Sequence, residues 1–314
     1  MALVIDYPHG ISAVDSEYLR PRLDAIHLVI DNGRCAIVDT GANSSVPRVM
    51  EALAAKGIKP EAVDYVVLTH IHLDHAGGAG LLMARLPNAT LTVHPRGARH
   101  MSDPSRLVQG TIAVYGEQSA RGMYGDLVPV PRERILETPH GASILLGARE
   151  LLFLDTPGHA RHHVSVVDSG SGDIFSGDTF GLSYRELDCD GKQFVFPTTS
   201  PVQFDPEAEH RSLELLLSHK PGAIYVTHFS SVQEVERLAS DMHRLVDAHA
   251  ELALELRDAG AERGRLLQEG VARLVLGEAE RYRWKLPARQ ILEVFSNDIE
   301  LNALGLEAWL DAQS

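Results

Sequence analysis

His70, His72, Asp74 and His75 fall within six consecutive residues of the run Thr69-His70-Ile71-His72-Leu73-Asp74-His75-Ala76-Gly77-Gly78. Imidazole nitrogens with a carboxylate make a donor set for zinc, iron or manganese, whereas an all-oxygen set would suit calcium or magnesium. Imidazoles at i and i+2, followed by a carboxylate and a third imidazole, cannot all lie on one face of a helix or strand. A loop wrapped around a metal can use all of them. One histidine alone is more often a hydrogen-bonded polar residue than a ligand, but four donors at this spacing point to a metal loop rather than a histidine-rich surface turn.

Such a loop needs a rigid base. Ala62-Val63-Asp64-Tyr65-Val66-Val67-Leu68 is a short, apolar, β-branched run of the kind that forms a buried strand. The histidines therefore follow a strand end, from which side chains can be aimed into a cleft. Gly77, Gly78 and Gly80 give the backbone room to fold over the metal.

The run His70-Ile71-His72-Leu73-Asp74-His75 resembles the HxHxDH signature of the metallo-β-lactamase-fold hydrolases. Four further stretches resemble that family's motifs, and they come in its order: Ile37-Val38-Asp39-Thr40-Gly41, Thr156-Pro157-Gly158-His159 with His163, Ser176-Gly177-Asp178-Thr179, and Val226-Thr227-His228. Together the five motifs span residues 37 to 228. The resemblance implies that one metal is held by His70, His72 and His159 and a second by Asp74, His75 and His228. Asp178 would bridge the two, which a carboxylate with two oxygens can do and a single imidazole nitrogen does poorly. Asp39 and His163 would support these ligands from behind. The implied cofactors are two divalent metal ions, zinc by default, with iron or manganese as alternatives.

The implied fold is α+β, a four-layer αββα sandwich with a C-terminal helical appendage. The implied reaction is cleavage of a small ester, thioester or lactone by a metal-bridged hydroxide, with Asp74 as the catalytic carboxylate. Asp178 aligns the chain with the glyoxalase II and lactonase branches. It has no clear C-terminal basic cluster like the one that binds glutathione in the former. Tyr184 lies six residues past Asp178, a longer spacing than that of the lactonase branch's tyrosine. Tyr184 and Phe196 are candidates for the substrate pocket, although Phe194 and Phe196 also suit the core. Two other readings remain open: a metal-containing effector or ligand sensor of the same fold, and a mononuclear iron persulfide dioxygenase-like enzyme.

In chain order, Asp31-Asn32-Gly33 between apolar runs predicts a hairpin. A helix is expected from about Ser44 to Gly57, and a strand over Thr90 to Val93. His94 matches no ligand position. Residues 96 to 125 read as a loop with a helix that could line the mouth of the pocket. Strands are expected over 151–155, 164–167, 173–177 and 223–226, with a surface loop over 194–201 and a helix after Asp205-Pro206. From Ser231, Val232, Val235, Leu238, Met242 and Leu245 recur at three- and four-residue steps. The expected division is thus a metal-binding domain over 1–230 and a helical appendage over 231–314. The appendage would act as a cap that brings Tyr282 or Trp284 to the pocket rim, as a homodimer surface, or as cover for an exposed sheet.

Composition sets the outer limits. A chain of 314 residues, 44% hydrophobic and 23% charged, suits a soluble globular protein. A net charge of -14 disfavours nucleic acid and anionic membranes, since both are bound through clustered Lys and Arg. The expected partner is a small-molecule substrate. No basic segment followed by an apolar run opens the sequence, which predicts a cytoplasmic location. Cys35 and Cys189 match no zinc spacing and are expected as thiols.

Overall fold

Residues 2–199 and 202–313 are described by a computed structural model of the chain, so Met1 and the Ser200-Pro201 end of the expected 194–201 loop lie outside it. The chain folds as two compact units. One comprises residues 1–155, 162–177 and 224–231; the other comprises 156–161, 178–223 and 232–314.

The first unit is built on two sheets. In the first sheet, β1 (Val4–Asp6), β2 (Ile11–Asp15), β3 (Ala25–Asp31) and β4 (Arg34–Val38) form an antiparallel meander. It continues in parallel through β5 (Val63–Val67), β6 (Thr90–Val93) and β7 (Ile135–Glu137). Asn32 and Gly33 close the β3–β4 hairpin at φ 48° and 75°, the two-residue turn whose twist matches that of the strands. Parallel neighbours require crossovers. These are supplied by α1 (Val46–Ala55) and, after the single turn α2 (Leu73–Ala76), by α3 (Ala79–Arg85).

The second sheet holds β8 (Ser143–Leu146), β9 (Arg149–Asp155), β10 (Val164–Asp168), β11 (Ile174–Gly177), β12 (Ile224–Val226) and β13 (Ser230–Val232). β11 and β12 run parallel. Alternation along the strands sorts the two cores. Ile26, Leu28, Cys35 and Ile37 pack with Val49 and Leu53 of α1 and Leu82 and Met83 of α3. Val29, Ala36 and Val38 instead face Phe153, Val164, Val166 and Phe175 of the second sheet.

Residues 95–124 form three helices rather than a loop with one: α4 (Pro95–Ser102), α5 (Ser105–Tyr115) and α6 (Glu117–Tyr124). α5 has no fully buried residue, which explains its weak apolar period. His94 is structural, as expected: its Nδ1 accepts the Arg96 N–H at 3.0 Å and caps α4. β7 and β8 are short and half exposed, and they leave little alternation to read in the sequence.

The second unit is helical. α7 (Pro206–Ser218) is capped by the Asp205 carboxylate, which accepts the Ala208 N–H at 3.0 Å. It is followed by α8 (Val235–Glu255), α9 (Arg263–Tyr282), α10 (Ala288–Val294) and α11 (Ser296–Asp311). α8 packs on α7, α9 and α11, and Val235, Leu238, Met242 and Leu245 are all buried. The stripe therefore needs no second copy of the chain to cover it. The first unit ends at residue 231, and the helices from 232 share their unit with residues 156–161 and 178–223.

Tyr282 and Trp284 are interior residues, which corrects their expected place on a rim. The Trp284 ring lies 4.7 Å from Phe194 and 5.8 Å from Phe295, and the Tyr282 hydroxyl donates to Asp241 at 2.5 Å. The fold class is α+β with a C-terminal helical region, as expected. Both cysteines are buried thiols. Among the described residues, no helix is long and apolar enough to cross a membrane.

Candidate metal centre

β4 and β5 are parallel neighbours, so Asp39 and Thr69 leave their strands at the same edge of the sheet. Asp39 is the hub of that edge. Its carboxylate accepts the Thr69 N–H at 2.9 Å, the Thr227 hydroxyl at 3.0 Å and His75 Nδ1 at 2.8 Å. One buried side chain thereby ties together the segments after β4, β5 and β12, at φ 60°, a conformation that costs a non-glycine residue energy. The metal loop is held close to this edge as well. A Cβ on Gly78 would come within 2.8 Å of the Ala42 carbonyl oxygen, and one on Gly80 within 1.7 Å of that of Val128.

His228 is held in the same way as His75, by a second buried carboxylate: its Nδ1 donates to Asp24 at 2.7 Å. Burial pushes Asp24 up to about 6, against the pull of His228. An imidazole that donates from Nδ1 carries its lone pair on Nε2, the tautomer a metal ligand needs. The Nε2 atoms of His75 and His228 stand 3.6 and 3.8 Å from Asp74 Oδ2. The ligand atoms of Asp74, His75 and His228 all lie within 4.8 Å of one another, so the donor set fits a metal ion.

The His70 ring lies 4.5 Å from that of His72 and 4.0 Å from that of His75. His163 stacks on His70 at 4.9 Å. Gly177 makes room for this packing, since a Cβ there would come within 2.6 Å of His163 Nε2 and 2.8 Å of the Thr69 hydroxyl.

The second unit holds the other two expected ligands. His159 Nδ1 donates to the Thr198 carbonyl at 2.7 Å, and its Nε2 faces Asp178 Oδ2 at 3.5 Å. Glu209, at the start of α7, packs under this turn. A Cβ on Gly158, at φ 140°, would come within 2.5 Å of the Glu209 Cα. Burial, reinforced by the charge of Asp178, holds the Glu209 carboxyl well above the ordinary range.

The first unit thus assembles His70, His72, Asp74, His75 and His228 with Asp39 and His163, and the second assembles His159 and Asp178. Tyr184 and Phe196 are not exposed to a pocket. Both are fully buried in the second unit, where the Tyr184 hydroxyl donates to Asp298 at 2.9 Å and Phe196 packs on His249 and Phe295. Asp24, Thr198 and Glu209 went unread in the sequence. Their partners lie 204, 39 and about 50 residues away, and no short motif carries that information. A cavity of about 470 Å³ opens beside the metal loop in the first unit, lined by Leu73 with Val108 and Ile112 of α5 and Arg121 and Tyr124 of α6. It is the helical segment over 95–124 that walls it.

The sequence pattern of the metallo-beta-lactamase superfamily matches residues 21–236. The chain belongs to this superfamily. Among superfamily relatives, a metallo-beta-lactamase fold-containing protein, ST1585 of Sulfurisphaera tokodaii, is 25% identical over 70% of this chain and 77% of its own length. A hydroxyacylglutathione hydrolase of Xanthomonas campestris is 30% identical over 57% of this chain and 51% of its own. The crystal structure of the archaeal superfamily protein ST1585 superposes with a TM-score of 0.63 at 22% identity, over 96% of this chain and 99% of that one. That of TTHA1429 from Thermus thermophilus superposes with a TM-score of 0.62 at 18% identity, over 100% and 93%.

Proposed function

We propose that this chain is a metal-dependent hydrolase of a small ester, thioester or lactone. The observation that carries this reading is the convergence of His75 Nε2 and His228 Nε2 on Asp74, with both Nδ1 atoms held by buried carboxylates. The relative named as a hydroxyacylglutathione hydrolase supports a hydrolytic reaction. The order of the sequence motifs supports the ligand assignment: His70, His72 and His159 for one ion, Asp74, His75 and His228 for a second, and Asp178 between them. Two divalent ions there would supply a water acidic enough to attack at neutral pH and would polarise the substrate carbonyl.

The chain's own residues do the rest. Asp39 and Asp24 fix the His75 and His228 rings and raise their basicity. Asp74, the most solvent-accessible of its three-residue group, can orient the attacking water through one carboxylate oxygen and return a proton to the leaving group. No side-chain nucleophile is needed. The cavity beside Leu73 is suited to an apolar acyl portion, with Arg121 at its wall for a polar end.

Fold alone does not give the reaction, since neighbours of this fold include a chemotaxis sensor with a diiron species. The deciding experiment is elemental analysis of protein purified without chelator, followed by a screen of acyl, lactone and thioester substrates. Two ions per chain and hydrolysis abolished by chelation are expected. A metal-free chain, or a metal-loaded one that hydrolyses nothing yet binds a metabolite tightly, would defeat the reading. Oxygen consumption with a persulfide and a single iron would instead place it among the dioxygenases.

A further inference from the structure

Asn302 is a polar residue on the buried face of α11, between Ala303, Leu306 and Leu310 on the same helix, and only 2% exposed. Both ends of its side-chain amide engage a single strap of backbone. Oδ1 accepts the Thr199 N–H at 2.8 Å, and Nδ2 donates to the Pro197 carbonyl at 2.9 Å. The Thr199 hydroxyl closes the arrangement by donating to the Asn302 carbonyl at 3.0 Å. A backbone N–H can only donate and a proline carbonyl can only accept, so only a side chain with one donor and one acceptor in this geometry satisfies both. Leucine would satisfy neither. Aspartate would set an oxygen against the Pro197 oxygen.

The residue clamped between these two anchors is Thr198. Its carbonyl accepts His159 Nδ1 at 2.7 Å, and its hydroxyl lies 3.1 Å from the same nitrogen and 3.4 Å from the Asp178 carbonyl oxygen. A carbonyl oxygen cannot be aimed by its own side chain, only by what holds the backbone on either side of it. Asn302 holds both sides.

We infer that Asn302 is a positioning residue for the His159 ligand: it fixes the 197–199 strap so that the Thr198 carbonyl sets the tautomer and ring orientation of His159. This rests on the reading of His159 as a metal ligand. It also changes the role of the C-terminal helices. From the sequence, residues 1–230 contain every ligand and need no help from the helical segment. In the structure, a residue near the end of the chain orients one of those ligands.

The test compares Asn302→Ala and Asn302→Asp with Leu306→Ala in the full-length chain. Leu306 is a fully buried apolar residue of the same helix, and its truncation destabilises α11 without removing a hydrogen bond to the strap. Loss of bound cobalt to a chelator, the visible spectrum of the cobalt form, and thermal stability are measured for each. Both Asn302 variants should release metal faster, on the order of tenfold, with an altered cobalt spectrum. Leu306→Ala should lose thermal stability while keeping the wild-type spectrum and release rate.

A readout that needs no metal runs alongside. The His159 Nδ1–H resonance, assigned by its loss in His159→Gln, should be protected from solvent exchange in wild-type apoprotein and in Leu306→Ala, and exposed in Asn302→Ala. Wild-type metal release and ring N–H protection in both Asn302 variants would overturn the inference. So would equal effects from Leu306→Ala at matched loss of stability. Failure of the wild type to take up cobalt would refute the dimetal reading instead, and the N–H measurement would still decide the role of Asn302.

Discussion

The two units hold their histidines by different means. In the first, His75 and His228 each donate to a buried carboxylate, and the carboxylates themselves sit at strand ends. In the second, His159 donates to a neutral backbone carbonyl on a strap with no strand of its own. A carboxylate partner stabilises positive charge on the ring and makes it a stronger ligand, whereas a carbonyl mainly sets tautomer and direction. The first unit thus carries strength in its side chains. The second carries precision in its backbone, so an amide on another helix is needed to hold that precision.

Breaking the chemistry should have the largest effect. Asp74→Ala is expected to lower turnover by roughly 10²–10⁴-fold, with a much smaller change in KM, because the carboxylate's proposed work falls in the transition state. Steady-state kinetics on whichever substrate the screen identifies is the measurement. Full activity in this variant would remove Asp74 from the mechanism and leave the comparison one of binding alone.

The next effect addresses the contrast itself. Asp39→Asn keeps the shape but removes the charge behind His75, and it should weaken metal binding about 10–100-fold. Thr198→Ala removes a hydroxyl but not the carbonyl that holds His159, so competition with a chromogenic chelator should register only a few-fold change. Equal losses in the two variants would erase the distinction between carboxylate-backed and carbonyl-backed ligands.

These features differ in how visible they are in sequence. Ligands that leave strand ends in short runs, such as His70 to His75 or Thr227-His228, are legible because local pattern and local chemistry coincide. The hairpin at Asn32-Gly33 and the cap at Asp205 are legible for the same reason. Asp24 is not, because its partner His228 lies 204 residues away, in the turn between β12 and β13, and only the fold joins them. The helical character after Ser231 is legible, but the role of Asn302 is not, because its partners Thr199 and Pro197 lie 103 and 105 residues away. Tyr184 and Phe196 were pocket candidates, with the core as an alternative for Phe196, because aromatic residues in a turn-rich stretch suit either place; both are buried.

The effect of acid grows gradually with falling pH, and it separates the units. His27 in the first and His249 in the second are both fully buried, and burial pushes each down to about 4. His27 bonds the Ser230 hydroxyl at 3.1 Å, and His249 donates from Nδ1 to the Leu245 carbonyl at 2.7 Å while its Nε2 is buried without a partner among the described residues, so neither ring has a carboxylate to hold a proton on it. A ring kept neutral in the fold takes up its proton only on unfolding. Stability is therefore full above the unfolded value of about 6.5 and falls as pH drops toward 4, by roughly 3 kcal/mol per imidazole. Below about 4 the folded protein binds the proton too, and the slope from these groups ends. Both tryptophans, Trp284 and Trp309, belong to the second unit, so their fluorescence follows that unit while far-ultraviolet dichroism follows both. In metal-free protein, where acid-driven loss of bound metal cannot intervene, urea titrations between pH 7 and 4 should give a fluorescence midpoint that falls with pH. His249→Gln should flatten that fall without changing the acid dependence carried by His27. An unchanged slope in His249→Gln would mean that the ring is already protonated in the fold, and that the second unit tolerates a buried charge which the first meets only with Asp39 and Asp24.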